Sequence, residues 1–239
     1  MWPLLTSPIL WLSLLTLTSL ELVLGIDNLV FISIAISRLP SEQQNKARYA
    51  GLTLALVLRL TLLYATLWLT HFTEPLITLF QQIFSVHDLF MLMGGLFLIV
   101  KATNEIHIGI ASPNSKPRNP SFRHFGFVLG QIVLLDLVFS FDSIMTAVGL
   151  TNNFSIMAIA IIIAIILMMV ASKPMHYFIS QYPSLKVLAL SFLLLIGMSL
   201  LANGMHFIIP HSFIYFAMLF SLGVEVLNIV TGKRSKAEP

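Results

Sequence analysis

Glu21-Leu22-Val23-Leu24-Gly25-Ile26-Asp27-Asn28 and Asp136-Leu137-Val138-Phe139-Ser140-Phe141-Asp142-Ser143 read as two copies of one motif, 115 residues apart. Each copy has two carboxylates six positions apart, a small residue between them (Gly25 or Ser140) and a short polar residue directly after the second acid. Each lies inside a long apolar run. A carboxylate at the centre of a membrane helix costs about 2.5–3.5 kcal/mol, and four of them unpaired cost on the order of 10 kcal/mol. Leucine would fit such a position at no such cost, so acids kept there point to an ion or proton site.

The surrounding composition fixes the class. Of the 239 residues 57% are hydrophobic and 10% charged, and the mean hydropathy is +0.93. Soluble domains carry about 25% charged residues, so this is a polytopic membrane protein. A net charge of +3 would suggest nucleic-acid binding only if the basic residues shared one soluble face. They lie between apolar runs instead, so no nucleic-acid partner is expected. The chain has no cysteine, which excludes disulfides and thiolate metal sites. Residues 1–9 lack a positive n-region and the apolar run continues past Glu21, so the start reads as a first span rather than a cleaved signal peptide.

With about 20 apolar residues needed per crossing, seven spans are expected, at 8–37, 47–70, 76–101, 123–150, 154–173, 184–203 and 210–231. The first and fourth are long for a simple span, which suits a tilted or interrupted helix. Gln81 and Gln82 weaken the third, which favours a start near His87. The stretch 104–122, with Pro113, Pro117 and Pro120, reads as a hinge between halves. Twelve of the thirteen basic residues fall in alternate loops and the C-terminal tail. By the positive-inside rule the N-terminus is expected outside and the C-terminus in the cytoplasm. The thirteenth, Arg59, falls inside the second span. Two readings fit it, an ion pair with an acid and a place on the ion pathway, and the pair is favoured.

The repeat extends beyond the acids. Asn104 and His107 at the end of the third span recur as Asn203 and His206 at the end of the sixth. Residues 8–107 and 123–206 therefore read as repeats, with the helix at 210–231 added. Three spans per copy is an odd number, so the second copy enters from the opposite side. The expected fold is all-α: seven transmembrane helices as a 3+3 inverted repeat plus one extra helix, forming a single membrane transport domain. In such architectures the site lies near the midplane at the repeat interface.

On an unbroken helix Glu21, Gly25 and Asn28 share one face, as do Asp136, Ser140 and Ser143, while Asp27 and Asp142 sit about 120° away. All four acids converge if the helices present a wide face or unwind at Gly25 and Ser140. The donors on offer are oxygens alone, which suit hard or borderline divalent ions such as Mn, Mg or Ca rather than Cu or tetrahedral Zn. Such a cluster without a cation would hold protons, so exchange of metal for protons is chemically natural. The candidate metal-site residues are Glu21, Asp27, Asn28, Asp136, Asp142 and Ser143. Glu225 joins them as a contributor to the site or its inner gate, with Asn228 three positions on; snorkelling to the interface is its rival role. The blander readings are interhelical polar glue for the acids, ordinary packing for Asn28, Ser140 and Ser143, and interfacial placement for the seven histidines.

Four stretches resemble the TerC family of bacterial integral membrane proteins in its short form: Glu21–Ile32 (ELVLGIDNLVFI), Gly94–His107 (GGLFLIVKATNEIH), Asp136–Gly149 (DLVFSFDSIMTAVG) and Tyr215–Asn228 (YFAMLFSLGVEVLN). The resemblance implies a seven-span core of the LysE-like transporter group. It implies manganese export, and the family's name reflects an association with tellurite resistance. By position it assigns the metal site to Glu21, Asp27, Asp136 and Asp142. Phe139-Ser140-Phe141 departs mildly from the usual leucine before the aspartate. Manganese comes from the resemblance alone; the residues reach only a hard or borderline divalent cation.

The expected function is a multi-pass exporter of divalent metal, Mn(II) by resemblance, in the bacterial inner membrane. It works by alternating access, with H+ as counter-ion. It is not an enzyme and needs no cofactor, and its partners are the ion and the lipid bilayer; whether copies assemble into a homo-oligomer stays open. The alternative is a non-transporting scaffold or tellurite-resistance accessory protein. An intramembrane aspartyl protease also uses two aspartates on separate spans, but neither Ile26-Asp27 nor Phe141-Asp142 supplies the Gly-x-Gly-Asp turn it needs.

Overall fold

Hydrocarbon offers no partner to a backbone N–H or C=O, so an apolar run crosses a membrane only by bonding to itself as a helix. The computed structural model, which describes residues 8–37, 39–66, 75–79, 82–111, 125–151, 153–207 and 209–235, follows that rule. Its helices are α1 (Pro8–Ile36), α2 (Ser41–Thr66), α3 (Val86–Ala111), α4 (Phe125–Leu150), α5 (Phe154–Gln181), α6 (Pro183–Gly204) and α7 (His211–Ser235). Six of them hold apolar stretches of 20–29 residues, long enough to cross a bilayer. The remaining one, α4, is 26 residues long and includes an apolar segment at Phe125–Phe141. The fold is the expected polytopic all-helical class.

Several boundaries differ from the hydropathy reading; α5, for one, runs to Gln181 rather than 173 and so carries Lys173 inside it. The third span does not begin at residue 76. Strands β1 (Pro75–Leu79) and β2 (Gln82–Ser85) form an antiparallel hairpin, with Ile77 opposite Phe84 and Leu79 opposite Gln82. Helix α3 then starts at Val86, where a capping box forms: Asp88 Oδ2 accepts from the Ser85 N–H at 2.8 Å, and the Asp88 N–H donates to Ser85 Oγ at 3.2 Å. At its other end α3 runs on through Glu105 and His107 to Ala111, so the hinge stretch is shorter than 104–122 and its proline-rich part lies outside the described residues. Helix α2 begins at Ser41, earlier than the apolar edge at 47, with Glu42 in its first turn, where the helix dipole favours an acid.

The chain divides into two compact units. One comprises residues 1–73 and 116–178, the other 74–115 and 179–239. The first unit thus holds α1, α2, α4 and most of α5. Its core joins Leu17 and Ile36 of α1, Leu52 and Leu63 of α2, Ile132 and Ile144 of α4, and Ile161 and Ile165 of α5, all at most 2% exposed. Both motif helices are continuous through Gly25 and Ser140. Gly25 serves packing: a Cβ there would fall 2.5 Å from Sδ of Met168 on α5.

The second unit holds the hairpin, α3, α6 and α7. Helices α3 and α6 cross at glycines. A Cβ on Gly95 would meet the Gly197 carbonyl oxygen at 2.6 Å, and one on Gly204 would meet the Asp88 carbonyl oxygen at 2.9 Å. This is small-residue packing of membrane helices, in which backbones approach directly. Helix α6 ends on His206, whose φ of 64° lets the Phe207 N–H bond back to the Ala202 carbonyl at 2.8 Å. Helix α7 exposes Phe213, Phe216, Leu219, Phe220 and Leu227, each at least 64% accessible, as a lipid-facing surface requires.

Candidate functional site

Within the first unit, three helices each direct one charge inward. Glu21 on α1, Arg59 on α2 and Asp136 on α4 have side chains 1%, 3% and 4% exposed. Glu21 and Asn28, seven residues apart, lie on the same buried face of α1, while Val23 on its other face is 52% exposed. Asp136, Ser140 and Ser143 likewise form a buried face of α4. The helical spacing read from the sequence therefore places these five side chains as expected.

The guanidinium of Arg59 bridges the two acids. Its Nη1 donates to Glu21 Oε2 at 2.5 Å and its Nη2 to Asp136 Oδ1 at 2.7 Å. Its Nε stands 3.2 Å from both Asp136 oxygens. Charge-assisted bonds of this kind are the strong class, and removing one partner leaves a buried charge uncompensated. With both acids ionised the trio carries one net negative charge.

The smaller polar groups complete the shell unevenly. Asn28 Nδ2 donates to Asp136 Oδ1 at 3.5 Å, and the Ser140 hydroxyl reaches Asp136 Oδ2 at 3.0 Å. That hydroxyl has one proton and a second acceptor, the Asp136 carbonyl one turn back. Ser143 donates to the Ser140 carbonyl at 3.2 Å and stands beside the Glu21 carboxylate. Asp136 is thus fully engaged. Glu21 Oε1 and Asn28 Oδ1, by contrast, are buried and accept no hydrogen bond. An unmet buried acceptor costs about 1–3 kcal/mol. A small cavity beside Asn28 is lined also by Phe31, Ile32, Ile132, Leu135 and Asp136. Two carboxylates and the Asn28 amide oxygen, oxygen donors alone, fit a hard cation by donor chemistry.

The other expected site residues stand differently. The side chains of Asp27 and Asp142 lie outside the described residues. Among the described residues no three histidine or acidic side chains converge as a metal cluster. Glu225 is half-buried and Asn228 exposed on α7, in the second unit. Arg48, counted as a loop charge, is 2% exposed within α2, where Nη1 donates to Asn45 Oδ1 at 2.7 Å while Nε has no partner. The helix starts earlier than the apolar edge, which carries Arg48 inside it. His87 and His206 do sit at span ends, and both tie to Asp88, at 3.4 and 3.5 Å. The sequence reading missed the double role of Arg59 and the Asp136–Ser140 bond. The signal for the first was present: a lone cation inside a span, opposite two spans bearing acids.

Comparison with known proteins gives the family. A family model described as "Integral membrane protein TerC family" matches residues 6–238. The "UPF0053 inner membrane protein YgdQ" of Escherichia coli K12 is 47% identical over 232 residues, covering 96% of this chain and 97% of the relative. A "UPF0053 protein" of Haemophilus influenzae is 47% identical over 225 residues, 93% of this chain and 94% of the relative. The chain is also 47% identical to the "UPF0053 inner membrane protein YoaE" of E. coli K12 over 225 residues, which is only 43% of that longer protein. No solved structure matches.

Proposed function

This chain belongs to the TerC family of integral membrane proteins, and on that premise we propose that it is a multi-pass inner-membrane transporter of divalent cations, an exporter of Mn(II). The observation that carries the proposal is the buried pair Glu21 and Asp136, bridged by Arg59 and flanked by two orphaned oxygens. A scaffold has no use for such a group, because apolar residues of the same size would hold the helices at equal or better stability. The donors are all oxygen, which favours Mn, Mg or Ca over softer metals. The site would load from the cytoplasm and release outward by alternating access, with protons returning on the emptied acids. The N-terminus would lie outside and the C-terminus in the cytoplasm.

The test is transport in proteoliposomes, with Mn, Mg, Ca and Zn compared and a pH dye enclosed, for wild type, Glu21→Gln and Asp136→Asn. Manganese-selective flux abolished by both substitutions, in protein that still elutes as a single species, is the expected result. No flux of any ion by folded wild type would overturn the proposal and favour an accessory role.

A further inference from the structure

We propose that Arg59 is a tethered stand-in for the transported cation: it occupies the acids when the site is empty, and a divalent ion gains Asp136 only by displacing it. The inference rests on the transport reading above and assigns a role to a residue outside the acidic motifs.

Arg59 addresses both oxygens of Asp136 and one of Glu21. Ser140 takes Asp136 Oδ2, and Asn28 takes Oδ1. Each Asp136 oxygen thus already meets the guanidinium, while a metal ion needs a lone pair at about 2.0–2.6 Å. Glu21 Oε1 and Asn28 Oδ1 stay open and buried. An arriving ion therefore meets an open acceptor, Asn28 Oδ1, at the cavity that Asp136 also lines. It completes its shell by exchanging places with the guanidinium. A planar, permanently charged fork on a long side chain suits this role.

The consequence is kinetic. A carrier must reorient both loaded and empty, and two bare acids in hydrocarbon would trap the empty state. Arg59 neutralises one of the charges and a returning proton the other, and together they permit the empty return. It also competes with the ion, and so holds its affinity down, which favours release.

The experiment separates two modes of flux with radioactive manganese in proteoliposomes. Net movement into manganese-free vesicles requires the empty return; exchange against internal manganese does not. For Arg59→Gln we expect net flux to fall at least tenfold while exchange persists within about threefold. Manganese binding by calorimetry should tighten at least tenfold, since the competitor is gone. Arg59→Lys keeps a cation without the fork and should restore part of the net flux. If Arg59→Gln does not yield folded protein, Arg59→Lys decides: it must bind manganese more tightly than wild type while net flux falls more than exchange.

A purely structural role would lower both fluxes together and leave affinity unchanged or weaker, which would overturn the inference. Wild type that moves no divalent cation in either mode would overturn the transport reading, and this inference with it. Wild-type transport with an unaltered ratio in the variants would remove this inference alone.

Discussion

Asp136→Asn should destabilise the protein more than Glu21→Gln. Asp136 receives three of the four contacts made by the Arg59 guanidinium, and Glu21 receives one. An asparagine keeps one acceptor oxygen, turns an amide donor toward the guanidinium, and removes the charge that compensates it. Breaking a buried ion pair from one side costs about 3–5 kcal/mol. Arg59 would still hold Glu21 at 2.5 Å, so the lower end, about 3 kcal/mol, is expected. For a chain of this length that is a drop of about 6–12 °C in the unfolding midpoint. Glu21→Gln, which leaves the Asp136 fork intact, should lose about half as much. The measurement is intrinsic-fluorescence melting of purified protein in one detergent. The triple variant Glu21→Leu, Arg59→Met, Asp136→Leu should recover at least half the loss of Asp136→Asn, because an apolar replacement leaves no buried charge unpaired. A shift under about 2 °C for Asp136→Asn, or a triple variant worse than the summed singles, would refute this account of the trio.

Three further outcomes follow from the rest of the molecule. Gly95→Ala should lower the melting midpoint sharply, since its Cβ would meet the Gly197 carbonyl oxygen at 2.6 Å and the Leu201 nitrogen at 2.8 Å, whereas Gly223→Ala, with nothing within 4 Å, should be neutral. Ser140→Ala should cost about 1 kcal/mol in the same melt through its lost hydroxyl bonds, because the carboxylate keeps Arg59. The chain has no cysteine, so single-cysteine labelling is clean: in intact cells a membrane-impermeant maleimide should label His206→Cys and spare Glu42→Cys. The reverse pattern would invert the topology argued from Lys and Arg.

The membrane class and the helix count were legible in the sequence because the hydrophobic requirement of a span acts over some twenty residues at once. Which residues face inward was legible as well, from the spacing of Glu21 with Asn28 and of Asp136 with Ser140 and Ser143. Span ends were read less well, since local bonds set them and hydropathy does not see such bonds. Helix α3 starts at Val86 because Ser85 and Asp88 cap each other, and Arg48 lies inside α2 because the helix begins in polar sequence at Ser41. Helical periodicity ranks directions around one axis. It does not say which of three helices meet, and so the bridge from Arg59 to two acids needed the fold.

The two acidic motifs match in sequence, but the site they build in the fold is not symmetric. The acids come in equivalent positions of the two copies, Glu21 in α1 and Asp136 in α4. Their counter-charge comes from one copy only. Helix α2 carries Arg59, while residues 154–172 of α5 hold no charged residue at all. One cation shared by two equivalent acids cannot satisfy them equally, and it does not: the fork of Arg59 closes on Asp136 and leaves Glu21 Oε1 open. The cavity beside Asn28 lies between α1 and α4, where Asn28 Oδ1 has no partner. Removing Arg59 frees Asp136 as well, a change that the tighter manganese binding expected of Arg59→Gln would report.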